Sequence, residues 1–207
     1  YHKAFSEGAD GLEIDVRLSK DEKPIIFHDE DTSRLFKKSL EIKNTTFFEL
    51  EALGNNENRI PLLDEVLDFL PQNKECFIEI KSDANTVPFL DKLRIEKKNI
   101  TFLSFDKNVV LALKKRFPNK LVFQSFHMLQ IERYGIKKIL EFYKNGNSDG
   151  LSIDIRGLSN KTIDKILEKK IDLIIWTLNS MERLKELSKK NIRAIITDEV
   201  RDFADFL

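Results

Sequence analysis

Two short runs near the N-terminus hold residues whose types and spacing suit chemistry: Gly11-Leu12-Glu13-Ile14-Asp15-Val16 and, a turn later, Pro24-Ile25-Ile26-Phe27-His28-Asp29. In the first, apolar Leu12, Ile14, Val16 and Leu18 alternate with Glu13, Asp15 and Arg17, so a strand sends both carboxylates to one face. Two such carboxylates on a buried face repel each other and lose hydration, which costs several kcal/mol unless a cation or an Arg/Lys partner sits between them. A hard divalent ion is the simplest remedy. Lys20 to Lys23 is polar and turn-like, so the second run is predicted to fold back as a hairpin that brings His28 opposite Asp15 or Glu13. Farther on, Phe77-Ile78-Glu79-Ile80-Lys81 repeats the alternation with Glu79 and Lys81.

Glu13, Asp15 and Glu79 on neighbouring strands would form an oxygen site for Mg²⁺ or Ca²⁺. Lys81 beside it either neutralises an excess carboxylate or holds a substrate phosphate. His28 is the nearby group able to exchange protons near neutral pH. A metal, a lysine and a histidine together suit cleavage of a phosphoester, in which charge on the phosphoryl oxygens is stabilised and the leaving oxygen is protonated. Each piece has a plainer alternative: Glu13 and Asp15 as an ion pair with Arg17 or Lys81, His28-Asp29 as a surface dipeptide, Glu79 and Lys81 as a pair on one strand face. Their conjunction favours the chemical reading. His2 and His127 read as surface or packing residues, and Lys37-Lys38 and Lys189-Lys190 as solvated faces, since nothing aromatic interleaves them.

The elements that must position these groups follow in an even alternation. Leu63, Val66, Leu67 and Leu70 keep helical spacing behind Pro61. Strands are predicted over Cys76 to Lys81, Ile100 to Phe105, Leu121 to Phe126, Leu151 to Ile155, Asp172 to Asn179 and Ala194 to Thr197. Helices are predicted near 86 to 97 and 107 to 117, around Ile136 to Tyr143, Ile163 to Leu167 and Met181 to Leu187, and from Val200 to Leu207. Seven strand-helix units beginning with Gly11, without a glycine-rich phosphate loop, predict an α/β fold of the (β/α)₈ TIM-barrel type. The count is one short of eight, and Tyr1 to Ala9 reads as the tail of a helix, so a first strand is expected ahead of Tyr1. An open seven-stranded sheet is the alternative.

With 207 residues, 41% of them hydrophobic, and 16 Phe, the chain can bury one core, and no Gly/Pro/Ser-rich stretch divides it, so residues 1–207 are read as one domain. Thirty-five Lys and Arg balance 35 Asp and Glu, which argues against nucleic acid or an anionic membrane as a bulk partner. The single cysteine, Cys76, excludes an intrachain disulfide and suits a reducing compartment. No apolar stretch approaches a membrane span, so a cytoplasmic protein without stable membrane association is expected.

The ordered motifs resemble the glycerophosphodiester phosphodiesterase family. Ala4-Phe5, Gly8 to Val16, Leu18 to Asp21 and Ile25 to Asp29 match its "AF..A...GAD.IE.DV.LTKDG..VV.HD"; Ile60 to Leu67 matches "IPTLEEVL", Glu79-Ile80-Lys81 "EIK", Leu103-Ser104-Phe105 "ISF", Trp176 to Asn179 "WTVN", and Ile195 to Asp198 "GIITD". The resemblance implies a (β/α)₈ barrel that hydrolyses glycerophosphodiesters to sn-glycerol 3-phosphate and an alcohol. It implies Glu13, Asp15 and Glu79 as metal ligands, His28 as one of two acid/base histidines, Lys81 at the phosphate and Trp176 lining the substrate pocket. Family members open with "HRG...ENT", which carries the other histidine and an arginine, and the sequence begins after that place. Glu199-Val200 replaces the end of the family's "TDYP". A related lysophospholipid or sphingomyelinase D-type phosphodiesterase, or a non-catalytic barrel binding metal or phosphate, is the alternative reading.

Overall fold

The alternation along Gly11–Leu18 forms a strand, β1, that buries Leu12, Ile14 and Val16 on one side and turns Glu13 and Asp15 to the other. The computed structural model describes residues 2–55, 58–93, 95–204 and 206. A short helix, α1 (His2–Ser6), precedes β1, and β2 (Pro24–Ile26) returns antiparallel with Ile26 opposite Val16. The remaining strands are β3 (Glu75–Ile80), β4 (Ile100–Ser104), β5 (Leu121–Phe126), β6 (Gly150–Asp154), β7 (Asp172–Trp176) and β8 (Ala194–Ile195). The eight-stranded sheet runs β2-β1-β3-β4-β5-β6-β7-β8, and β1 and β3 to β8 are parallel. All seven parallel strands expected from the sequence are present, and the eighth member is the hairpin strand.

A short helix, α2 (Phe47–Glu51), packs on Ile25 and Phe27 at the β2 hairpin, and helices α3 (Leu63–Phe69), α4 (Lys107–Arg116), α5 (Met128–Gly146), α6 (Asn160–Leu167), α7 (Met181–Leu187) and α8 (Val200–Ala204) cover the outer face. Leu12, Ile14 and Val16 of β1 join Ile78, Phe102, α3 and α4 in one buried layer, and Ile153 and Ile175 join α5 to α8 in a second. On the inner face Phe77 of β3, Leu103 of β4, Phe123 of β5 and Ile174 of β7 pack together. Strands far apart in the sheet order therefore meet, and the sheet is curled in the manner of a barrel. Gly150 makes room for this inner cluster, because a Cβ there would sit 2.5 Å from the Asp172 carbonyl oxygen and against the Phe123 ring.

Among the described residues β1 and β8 are not paired with each other. A groove of about 550 Å³ separates them, lined by Gly11, Glu13, Phe77, Ala194 and Phe203 among others. Near the starts of the strands Arg193 Nη2 donates to both carboxylate oxygens of Glu75, at 2.7 and 2.8 Å, and ties the segment before β8 to β3.

Four elements differ from the sequence pattern. The segment read as a helix near 86 to 97 is two 3₁₀ stretches, Ala84–Lys92 and Ile95–Lys97, because Pro88 lacks an N–H and clashes with an α-helical carbonyl. Helix α5 begins at Met128, behind a cap from His127, and bends at Gly135, whose φ is 70°, so the apolar spacing marked only its second half. Strand β7 stops at Trp176 and β8 spans two residues, both shorter than predicted. Tyr1 and Leu207, assigned to the first and last helices, lie outside the described residues.

Candidate active site

The parallel register of β1 and β3 sets Asp15 beside Glu79 and Glu13 beside Phe77, so three carboxylates converge at the C-terminal part of two neighbouring strands. Oxygen atoms of Glu13, Asp15 and Glu79 lie within 4.8 Å of one another. Lys81 follows one step past β3, its N–H donating to the Val16 carbonyl at 3.0 Å. Its ammonium sits 2.6 Å from Glu79 Oε1 and 3.2 Å from Asp15 Oδ1. Lys81 thus neutralises carboxylates, one of the two roles its position suggested.

The charge balance around this group is unfavourable to the acids. Burial pushes the Glu13 carboxyl up to about 8, with Asp15 and Glu79 adding to the rise. Burial also raises Glu79 despite the Lys81 ammonium beside it. For Lys81 burial acts downward, but Glu79 and Asp15 outweigh it and hold the ammonium charged. An all-oxygen donor set of three converging acids, one of them disfavouring its own charge without more positive charge nearby, fits an oxygen-seeking divalent cation. The triad can hold such an ion.

His28 reaches the site from the loop after β2. The ladder places Phe27, whose N–H donates to the Asp15 carbonyl at 3.0 Å, across from Asp15, so His28 stands one residue beyond the predicted register. It remains near enough to Glu79 for its charge to favour the ionised carboxylate. His28 Nδ1 is 2.6 Å from Asp29 Oδ1, Asp29 Oδ2 accepts from Arg34 Nε, and Arg17 Nε donates to the His28 carbonyl at 2.9 Å. Hydrogen bonds from Arg34 and His28 hold Asp29 below the usual carboxylate range, so it is an acceptor. The His28 Nδ1 therefore carries the proton and Nε2 is left for exchange.

Trp176, at the end of β7, joins the site through Phe105: the two rings meet edge to face at 5.8 Å, and Lys81 Nζ lies 5.5 Å from the Phe105 centroid. The "WTLN" and "TD" segments brace each other, since Asn179 Oδ1 accepts from Thr197 Oγ1 and the Asp198 N–H while Asn179 Nδ2 donates to Asp198 Oδ2. The structure thus gathers Glu13, Asp15 and Glu79 within 4.8 Å of one another, with Lys81 paired to Asp15 and Glu79, His28 at one flank and Trp176 behind Phe105. His127, read as a surface or packing residue, is partly exposed, packs against Trp176, caps α5 and lies 3.4 Å from the buried Asp154 carboxylate, on the same rim. Its position directly after a parallel strand was the signal, the rule that also marks Lys81.

Acids and a lysine gathered at the C-terminal ends of curled parallel strands are the arrangement of a barrel enzyme, with an acidic pocket that could hold a cation. The chain belongs to the glycerophosphoryl diester phosphodiesterase family, whose sequence profile matches residues 1–149, and is a phosphoric diester hydrolase. It is 26% identical to a glycerophosphodiester phosphodiesterase of Caldanaerobacter subterraneus subsp. tengcongensis, over 96% of this chain and 86% of that relative. The crystal structure of glycerophosphodiester phosphodiesterase from Thermotoga maritima superposes with a TM-score of 0.81 at 30% identity, covering 99% of this chain and 88% of the other. An Oleispira antarctica phosphodiesterase in complex with the product sn-glycerol-3-phosphate superposes at 0.84 with 21% identity, covering 100% and 89%. The fold is that of these TIM-barrel enzymes. No helix among the described residues is long and apolar enough to cross a membrane.

Proposed function

We propose that residues 1–207 act as one catalytic domain for metal-dependent hydrolysis of glycerophosphodiesters to sn-glycerol 3-phosphate and an alcohol. The observation that carries this reading is the convergence of Glu13, Asp15 and Glu79 within 4.8 Å, with Lys81 between two of them. The product named for the Oleispira antarctica enzyme supports the choice of glycerol 3-phosphate.

Glu13, Asp15 and Glu79 are the ligands of a divalent cation, Mg²⁺ or Ca²⁺. When bound, the cation supplies Lewis-acid stabilisation of charge on phosphoryl oxygens. Lys81 adds a fixed positive charge beside the same oxygens, and its ion pairs to Asp15 and Glu79 keep it aimed there. His28, oriented through Nδ1 by Asp29, moves a proton at Nε2, from the attacking hydroxyl or to the departing alkoxide. Trp176 and Phe105 supply the apolar wall against which the substrate lies.

The test is turnover of a glycerophosphodiester by the full-length protein, with glycerol 3-phosphate detected enzymatically, and calorimetric titration with Mg²⁺ and Ca²⁺. Glu13→Ala and Glu79→Ala are expected to lose both cation binding and turnover. His28→Ala is expected to lose turnover by about 10²-fold or more while the cation still binds. Full activity in either class of variant, or after chelation, would remove the assignment.

A further inference from the structure

The same rim, at the ends of β5 to β7, carries a second polar cluster, Asp154, Arg156 and His127, that the proposed chemistry does not use. Strands β5, β6 and β7 end side by side, at Phe126, Asp154 and Trp176. Asp154 is fully buried, yet it accepts from Arg156 Nε at 3.0 Å, from Arg156 Nη2 at 2.7 Å and from the Arg156 N–H at 3.1 Å. His127 Nε2 stands 3.4 Å from the same carboxylate. Burial alone would raise Asp154, but the bonds from Arg156 and the Met128 N–H outweigh it and hold the acid ionised.

A buried carboxylate that grips a guanidinium by two donors fixes the fork in one orientation. The Arg156 side chain nevertheless stays 61% exposed, and its Nη1 makes no hydrogen bond among the described residues. A staple for the loop after β6 needs only Asp154, which already accepts from the backbone of the following turn. A pre-oriented fork with a free outer edge is built to meet something from solution.

The cluster is joined to the reaction centre by rings. His127 lies 6.2 Å from Trp176, Trp176 lies 5.8 Å from Phe105, and Phe105 lies 5.5 Å from the Lys81 ammonium. The Trp176 indole N–H is buried without a partner among the described residues, a donor that only a bound group or water would satisfy. The path thus starts at one cation, Lys81, and ends at another, Arg156, while the Asp154 charge is buried and already engaged by Arg156.

Resting on the phosphodiesterase reading above, we infer that Asp154, Arg156, His127 and Trp176 form a subsite for the alcohol half of the diester. It selects an alcohol bearing hydroxyl or carboxylate oxygens over one bearing a quaternary ammonium. The free guanidinium edge donates to such oxygens. A quaternary ammonium meets a guanidinium there in place of a free carboxylate, and the Phe105 ring that could attract it already has Lys81 against it.

The experiment compares glycerophosphodiesters of glycerol, serine and choline with the full-length protein, wild type and Arg156→Gln, by turnover and by the fluorescence of Trp176, the single tryptophan of the chain. The wild type is expected to bind the glycerol and serine diesters about tenfold more tightly than the choline diester, and Arg156→Gln to collapse that ratio, mainly through KM. Thermal melting of the variant reports its fold, and Arg156→Lys, which keeps the charge but not the fork, is expected to recover only part of the ratio. Turnover with equal binding of the three diesters, or a ratio unchanged by Arg156→Gln, overturns the subsite and leaves the phosphodiesterase reading intact. An Arg156-dependent ratio in fluorescence without turnover of any diester supports the subsite and overturns that reading.

Discussion

The residue that decides how the acidic pocket survives folding is Lys81. Its ammonium, 2.6 Å from Glu79 and 3.2 Å from Asp15, is the positive charge the sequence provides inside a group of three acids. Lys81→Met is expected to destabilise the cation-free protein by about 3 kcal/mol, because it leaves mutually repelling carboxylates in a poorly hydrated place. Divalent cation should then raise the melting temperature of the variant more than that of the wild type, which thermal melts with and without Mg²⁺ or Ca²⁺ will read. Asp154 gives a pH prediction. Its folded value lies below that of a free carboxylate, so its stabilisation is present above the ordinary carboxylate range and is lost as pH falls through the lowered folded value. Asp154→Asn should cost about 1–3 kcal/mol near neutral pH and much less in acid, so the two melting curves converge as pH falls. The acids and Lys81 were legible in the sequence because alternation fixes which side chains share a strand face. Arg156 was not, since its role depends on a bond to a carboxylate two residues away and on a neighbour, His127, from another strand end.

At the scale of elements, the strands were read more faithfully than the segments between them. Leu121–Phe126 falls where the apolar run predicts, and the other parallel strands begin within a residue or so of expectation. A buried parallel strand needs a continuous apolar run, a signal that survives any tertiary setting. The connection over Ala84–Lys92 is 3₁₀ because Pro88 outweighs the periodicity, and α5 is longer than its apolar stripe because a His127 cap and the Gly135 bend lie outside helical spacing. The sharpest packing constraint is on Gly150 at the start of β6. Gly150→Ala should destabilise by about 1–3 kcal/mol, since the new methyl group meets the Asp172 carbonyl on one side and the Phe123 ring on the other. Chemical denaturation would show it as a lower midpoint with an unchanged slope. A variant as stable as the wild type would mean that the inner cluster is loosely filled.

For the whole molecule, the curl of the sheet is what turns separate motifs into a site. It brings β3, β4, β5 and β7 to one inner cluster and sets the β1–β3 acids on the same rim as the β5–β7 cluster. Stability should follow the same geometry. The amides of β3 to β6, paired on both sides, are expected to exchange with solvent more slowly than those of the three-residue hairpin strand β2, whose ladder partner in the sheet is β1. Hydrogen exchange read by mass spectrometry checks this ordering, and equal protection across the sheet would contradict it. The sequence by itself determined the parallel α/β alternation, the single face shared by Glu13 and Asp15, and the face shared by Glu79 and Lys81, because strand periodicity acts within a few residues. Only the tertiary structure decided that Phe27 rather than His28 stands across from Asp15, that Trp176 meets the site through Phe105, and that Asp154 grips Arg156 beside His127. Those contacts are set by strand register and by the curvature of the sheet, which join residues far apart in the chain and leave no periodic trace in it.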